Sequence, residues 1–252
     1  MPKLLFKNRT LNLNKNGMKI AHQEFNTLCS EFSKIFDSTA TILSSNDGRR
    51  FSERQAYGLF IQAILKSERC PKFVLTELPV PRNNKDKSSF GRLDFLYYKS
   101  SQAFAVELKL VHCGLESANI EKKKISSAWF SGGIDDSIYA GVVGQLKSIN
   151  INDMFFESLP GGQRNLKTIK FPILIVCHHR NHKNGFAPII KDENIIEKHN
   201  GVIKLFEKNP ECIPSFSAVY RLSNPQPRKT KNSDRDITIA GLGFFGGAAC
   251  FN

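Results

Sequence analysis

GRLDFLYYKSSQAFAVELKL, residues 91–110, reads as two β-strands joined by a short polar turn. On these strands Asp94, Glu107 and Lys109 stand among Leu93, Phe95, Ala105, Val106, Leu108 and Leu110. Charge in such company is costly unless it is paired or bound to a metal. Alternate side chains on a strand share a face, so Glu107 and Lys109 project together while Val106, Leu108 and Leu110 enter the opposite layer. A turn over Lys99 to Gln102 makes the two strands antiparallel neighbours and can set Asp94 beside Glu107. Two close carboxylates repel, and a hard divalent cation with oxygen ligands relieves the repulsion. The plainer alternative is edge-strand charge kept for solubility, with ion pairs Glu107–Lys109 and Asp94–Arg92.

The flanking segments give these strands a context. From His22 to Phe36 the apolar positions follow helical spacing, after a basic, Asn-rich segment over residues 1–20 that reads as an arm or loop. The stretch 44–50, SSNDGRR, breaks that helix, and a second opens with Ser52 as N-cap and Gln55 completing a capping box. Its inner stripe is Ala56, Tyr57, Phe60, Ala63 and Ile64. KFVLTELPV (72–80) reads as a strand, and residues 112–137 as a charged insertion. A helix capped by Asp136 is expected to run through Ile149, with Ile138, Val142, Gln145 and Ile149 on one face. FPILIVCHH (171–179) is continuously apolar before its histidines, as in a strand buried on both faces. A short helix around Asn194 to His199, a strand at Phe216 to Leu222, a basic loop and a last strand ITIAGLG complete the chain.

Helix, three strands, helix, strand, with Asp94 on the second strand and Glu107-Leu108-Lys109 on the third, resembles the PD-(D/E)xK nuclease superfamily. Leu93-Asp94 stands where the motif has Pro-Asp, and the resemblance spans residues 51–179, about half of the chain. The acid-x-Lys triplet alone is weak, since Glu121-Lys122-Lys123 repeats it in a polar setting. The resemblance implies an α/β fold of restriction-endonuclease type, an αβββαβ core with a central mixed sheet flanked by helices. Residues 1–50 and 180–252 are then N- and C-terminal elaborations of one domain, 1–252. It further implies a Mg²⁺-dependent nuclease, with Mn²⁺ as a possible substitute. Asp94, Glu107 and the Leu108 carbonyl would hold the metal, and Lys109 would orient water and offset phosphate charge. Supporting roles fall to Glu53 on the first helix and Gln145 on the later one. Glu77, on the first strand, is a lesser candidate by the same placement argument. A non-catalytic nucleic-acid-binding module of the same fold is the alternative.

Composition agrees with a polyanionic partner. Of 252 residues, 36 are Lys or Arg and 23 Asp or Glu, a formal net charge of +13. Such an excess favours nucleic acid, DNA by the resemblance, or an anionic membrane surface. No strongly amphipathic basic helix supports membrane docking. Basic stretches at the start, at 121–124 and at 227–231 could contact a phosphate backbone. No signal peptide and no apolar segment of spanning length is visible, so a cytoplasmic protein is expected. The six cysteines lie singly, which favours reduced thiols. One such site cuts one strand, so double-strand cutting would need a homodimer or two visits.

Two further patterns are set aside. Cys177-His178-His179 with His182, and His112-Cys113, have no common zinc spacing. Gly241-x-Gly243-x-x-Gly246 lacks the following helix that a dinucleotide site needs.

Overall fold

The computed structural model of the chain describes residues 1–9, 16–45, 51–67, 70–83, 88–99, 102–116, 122–130, 141–149, 168–182, 189–208, 213–223, 227–228 and 236–248. In chain order the elements are β1 (Lys3–Arg9), α1 (Asn16–Ser45), α2 (Glu53–Lys66), β2 (Phe73–Asn83), β3 (Ser88–Lys99) and β4 (Gln102–Gly114). There follow α3 (Lys122–Trp129), α4 (Val142–Ser148), β5 (Thr168–His182), α5 (Asp192–Phe206), β6 (Pro214–Arg221), β7 (Pro227–Arg228) and β8 (Asp236–Ala248). Seven strands form one mixed sheet in the order β1-β6-β8-β5-β4-β3-β2, with the short β7 beside β8. Only β4 and β5 run parallel among the described pairings. Parallel neighbours need a crossover connection, and α3 and α4 lie within it.

The two-residue period sorts β4 between two helical layers. Phe104, Val106 and Leu108 join the cluster built with α1 and α2, together with Phe95, Phe171, Ile173 and Phe244. Ala103 and Ala105 pack instead with Leu146 and Ile149 at the end of α4, and Val111 and Cys113 pack with Trp129 of α3 and Phe206 of α5. Helices therefore cover both faces, in an α/β arrangement. On α2 the buried positions Ala56, Leu59, Phe60, Ala63 and Ile64 follow the 3.6-residue period. Its start is the expected capping box. Gln55 N donates to Ser52 Oγ at 3.3 Å, and Ser52 N to Gln55 Oε1 at 2.9 Å.

Several elements differ from the sequence expectation. The N-terminal segment is not simply an arm: β1 pairs antiparallel with β6, and α1 begins at Asn16 and continues through Ser45. The segment 112–137 is not wholly an insertion, because β4 runs on to Gly114 beside β5 and α3 follows. The helix expected from Asp136 begins at Val142 with Gly141 at its cap, and residues 131–140 lie outside the described residues. In α5 and β8 the elements are longer than their apolar patterns suggest, since tertiary packing extends helices and strands past their most periodic stretch.

The glycines of β8 have a packing role. A Cβ at Gly243 would stand 2.8 Å from both His178 Nε2 and His199 Nδ1, and one at Gly246 would collide with Phe25. Side-chain-free positions on β8 thus admit α5 on one face and α1 on the other. His178 lies fully buried under α5, and burial pulls its pKa down to about 3. Four cysteines, Cys29, Cys70, Cys113 and Cys177, are free thiols. No helix among the described residues is long and apolar enough to cross a membrane.

Candidate active site

The site begins where two strands part. The β3–β4 ladder runs from Lys99 opposite Gln102 to Phe95 opposite Val106, and no further among the described pairings. Beyond that point β3 stays with β2, from Leu93 opposite Leu78 to Ser88 opposite Asn83. Meanwhile β4 stays with β5, as far as Gly114 opposite His179. The next residues after the ladder, Asp94 and Glu107, therefore mark a fork in the sheet. On β2, Glu77 falls between the pairs Thr76–Phe95 and Leu78–Leu93 and so lies opposite Asp94. Its φ of +49° is left-handed, a strained choice for a residue with a side chain. The strain sits at the level where the β2–β3 hairpin leaves β4.

With the ladder ended, a side chain supplies an acceptor to the backbone. Asp94 Oδ2 accepts the Leu108 N–H at 2.8 Å, bridging the fork from β3 to β4. A carboxylate accepting a backbone N–H is a charge-assisted bond and fixes the rotamer. Glu107 is 1% exposed, at the same level on β4.

Helix α2 brings the remaining groups. Its start is pinned to β4 by His112, whose Nε2 donates to the Phe51 carbonyl at 2.8 Å. Phe51 itself is buried, edge-on to Phe36 with ring centroids 4.7 Å apart. This anchoring sets Glu53, in the first turn, within reach of Lys109, which lies three residues before His112. Glu53 Oε1 accepts from Lys109 Nζ and from Tyr57 Oη, each at 3.4 Å. The Lys109 and Glu53 side chains are 30% and 34% exposed, so solvent reaches this pair. Tyr57, one turn after Glu53, rests edge-on against Phe95 with centroids 5.1 Å apart. Burial, then the charge and hydrogen bond of Asp94 and the charges of Glu53 and Glu107, push its pKa well above the ordinary phenol range. Tyr57 is thus a fixed neutral donor among three acids.

The structure brings Asp94, Glu107, Leu108, Lys109 and Glu53 to one place, from β3, β4 and α2. Ion pairs here include Lys109–Glu53 and Arg92–Glu77 (2.8 Å). Glu77 is exposed on β2, opposite Asp94 and paired with Arg92. Gln145 is half-buried on α4, and its backbone N–H donates to Gly141 O at 3.0 Å. The buried face of α4 is carried by Val142, Val143 and Leu146. Lys122, Lys123, Lys124 and Lys147 are exposed. Residues 229–231 of the basic PRKTK stretch lie outside the described residues.

Sequence reasoning placed Tyr57 in the core stripe and missed its hydroxyl. The signal was present as Glu53-x-x-x-Tyr57, an i,i+4 pair that a helix places side by side. It also missed the anchoring role of His112, which joins residues 61 positions apart.

Among the described residues no three His, Cys, Asp or Glu side chains gather closely enough to enclose a metal ion. Mg²⁺ does not need such a cage, because it commonly takes one or two carboxylates and keeps waters or substrate phosphate oxygens. Asp94 and Glu107, hard oxygen donors on either side of the fork, are of the chemical type that ion prefers. Comparison with family models, curated proteins and solved structures finds no match for this chain.

Proposed function

We propose that the chain is a Mg²⁺-dependent nuclease that hydrolyses phosphodiester bonds, with DNA as substrate. Its core would be of restriction-endonuclease type, formed by α2, β2, β3, β4, the α3–α4 crossover and β5. The observation that carries the proposal is the fork, where Asp94 and Glu107 flank the opening and Lys109 and Glu53 lie beside it. Two acids and a lysine at the parting of two strands suit a phosphate with its metal better than they suit a solvated sheet edge.

In this reading Asp94, Glu107 and the Leu108 carbonyl hold the metal. Bound there, Mg²⁺ supplies Lewis acidity toward a phosphate oxygen and acidifies a coordinated water. Asp94 keeps its position because one oxygen is tied to the Leu108 N–H. Lys109 turns its ammonium from Glu53 toward the phosphate, offsetting the charge of the phosphorane-like transition state and orienting the attacking water. Glu53 holds the lysine ready between turnovers. Water oxygen bonds to phosphorus, the bond to one deoxyribose oxygen breaks, and that oxygen takes up the proton the water gives away and leaves as a hydroxyl. The +13 net charge, with exposed Lys122, Lys123, Lys124 and Lys147, would hold the DNA backbone. A second copy of the chain would supply the second cut in a duplex.

A nucleic-acid-binding module without cleavage is the second reading, favoured by the want of a three-ligand cluster among the described residues. Incubation with supercoiled plasmid, linear duplex, single-stranded DNA and RNA, with and without Mg²⁺ or Mn²⁺, separates the two. Metal-dependent nicking of DNA supports the nuclease. Salt-sensitive binding with no product under either metal supports the module. Absence of both binding and product removes both readings.

A further inference from the structure

Beneath α5 two histidines meet that the proposed chemistry does not use. His199 of α5 stacks on Phe245 of β8 with ring centroids 4.6 Å apart, and lies edge-on to Phe6 of β1 at 6.0 Å. His178 of β5 meets it edge-on at 6.2 Å. A Cβ at Gly243 would stand 2.8 Å from His178 Nε2 and from His199 Nδ1, so the two nitrogens converge over one bare backbone position. Both residues are 0% exposed, and none of their four ring nitrogens has a hydrogen-bond partner among the described residues. A buried imidazolium without a counter-ion is costly, so such rings persist in the neutral form. The neighbouring groups do not relieve that cost. Lys198 of α5 and His179 of β5 only add positive charge. Cys113 of β4, opposite His178 in the register, is a buried free thiol, and Trp129 of α3 is apolar. The acids of α5 are engaged elsewhere: Asp192 pairs with Lys3 of β1 and Arg221 of β6, and Glu193 and Glu197 are exposed.

We infer that the His178–His199 pair is an acid-operated latch, which holds α5 on the sheet while both rings are neutral and releases it when both take up a proton. Release lets each imidazolium reach water and separates two like charges. Burial pulls both rings down, His178 to about 3, whereas a released ring titrates at about 6.5. The released form therefore binds protons that the docked form rejects. Docking is at full strength above about pH 6.5 and weakens as pH falls from there toward 3. Hydrogen bonds from Lys3 and Arg221 lower the pKa of Asp192, so those ties outlast the histidines as acid is added. On the opposite face His112 donates Nε2–H to the Phe51 carbonyl, a bond that a protonated ring keeps. Acid thus acts on α5 before it acts on the α1–α2 layer. The face laid bare carries Phe245 and Trp129, and α5 itself presents Val202 and Phe206.

No residue of the proposed active site takes part, so the test needs neither metal nor substrate. Trp129 is the only tryptophan, and its ring lies 5.5 Å from that of Phe206 on α5, so its fluorescence reports docking. The full chain is titrated from pH 7 to 4 by Trp129 emission. Amide hydrogen exchange, corrected for the intrinsic rate at each pH, follows α5 and α2 side by side. With two protons taken up on release, the release constant of the parent should rise about 100-fold per pH unit between about pH 6 and 4.5, in α5 ahead of α2. His178→Leu or His199→Leu should reduce the rise to about tenfold per unit, and the double variant should show almost none. A parent whose α5 exchange rises tenfold per unit or less overturns the latch. So does a rise that is equal in α2 and α5 at the same pH, which is the mark of global acid unfolding. A double variant that keeps the parent's slope overturns it as well. Should the variants not fold at pH 7, the slope in the parent and its confinement to α5 decide the matter.

Discussion

The β3–β4 hairpin carries charge at both of its ends and treats that charge in opposite ways. At the turn end, Lys99 on β3 and Glu24 on α1 are each 7% exposed and bonded at 2.7 Å. Lys99 Nζ also donates to Ser67 Oγ at 2.8 Å, and Tyr97 Oη donates to Glu24 Oε1 at 3.1 Å. Ser67 in turn donates to the Ile64 carbonyl at 2.6 Å. Burial and the Glu24 charge push the Tyr97 phenol upward, so it stays a donor. One acid meets one base, with short bonds, out of water. At the fork end Asp94, Glu107 and Glu53 lie around Tyr57 and Lys109, the contacts to Glu53 are 3.4 Å, and the Lys109–Glu53 pair is partly open to solvent. A closed, balanced pair fastens α1 to the sheet, whereas an open site with acids in company suits a partner that arrives from solution.

Substitutions at the two ends should therefore fail in different assays. The largest expected effect is Asp94→Asn, which should lower cleavage by at least about 10³-fold by weakening the proposed metal site. Asn can still accept the Leu108 N–H, so the fold should persist and the metal-free variant should melt no lower than the parent. Cleavage that survives this change would dissolve the contrast between the ends. At the turn end, Lys99→Met leaves Glu24 buried without its cation and should cost about 3–5 kcal/mol in urea unfolding. A loss below about 1 kcal/mol would mean that this end is not closed by its ion pair.

Next in size is Lys109→Ala. It should lower kcat about 100-fold and leave stabilisation by Mg²⁺ intact, because the proposed mechanism has the lysine act on water and phosphate. Loss of the Mg²⁺ response in this variant would move Lys109 from phosphate to metal-site assembly. The smallest effect is ligand stabilisation itself. At about 10 to 100 times its dissociation constant, Mg²⁺ should add about 1–3 kcal/mol to the parent. Lys99→Met should show the same increment and Asp94→Asn little of it, as read by thermal shift. An increment equal in all three would place the cation elsewhere.

Much of this molecule was legible from local pattern. The capping box Ser52–Gln55, the polar turn between β3 and β4, and the alternation that sends Val106 and Leu108 to the α1–α2 layer depend on neighbours within a few residues. β5 was legible because a strand covered on both faces must be apolar throughout. The edge β1 was not, since Lys3–Arg9 has no strong period and becomes a strand only when β6 offers a ladder. The Arg92–Glu77 pair was not legible either, because the register that puts Glu77 within 2.8 Å of Arg92 is set by the β2–β3 hairpin and not by its own strand.

By itself the sequence determined which residue types share a strand face, where α2 starts, and that acids and a lysine stand in an apolar strand pair. These follow from the two-residue and 3.6-residue periods and from side-chain capping, all of them short-range. Only the tertiary structure decided that β3 and β4 part after Phe95 and Val106, that His112 draws the start of α2 to β4, and that Lys109 meets Glu53. The physical reason is range. A ladder ends where the twist and strain of whole strands outweigh the next pair of hydrogen bonds, and that balance is set by packing across the sheet.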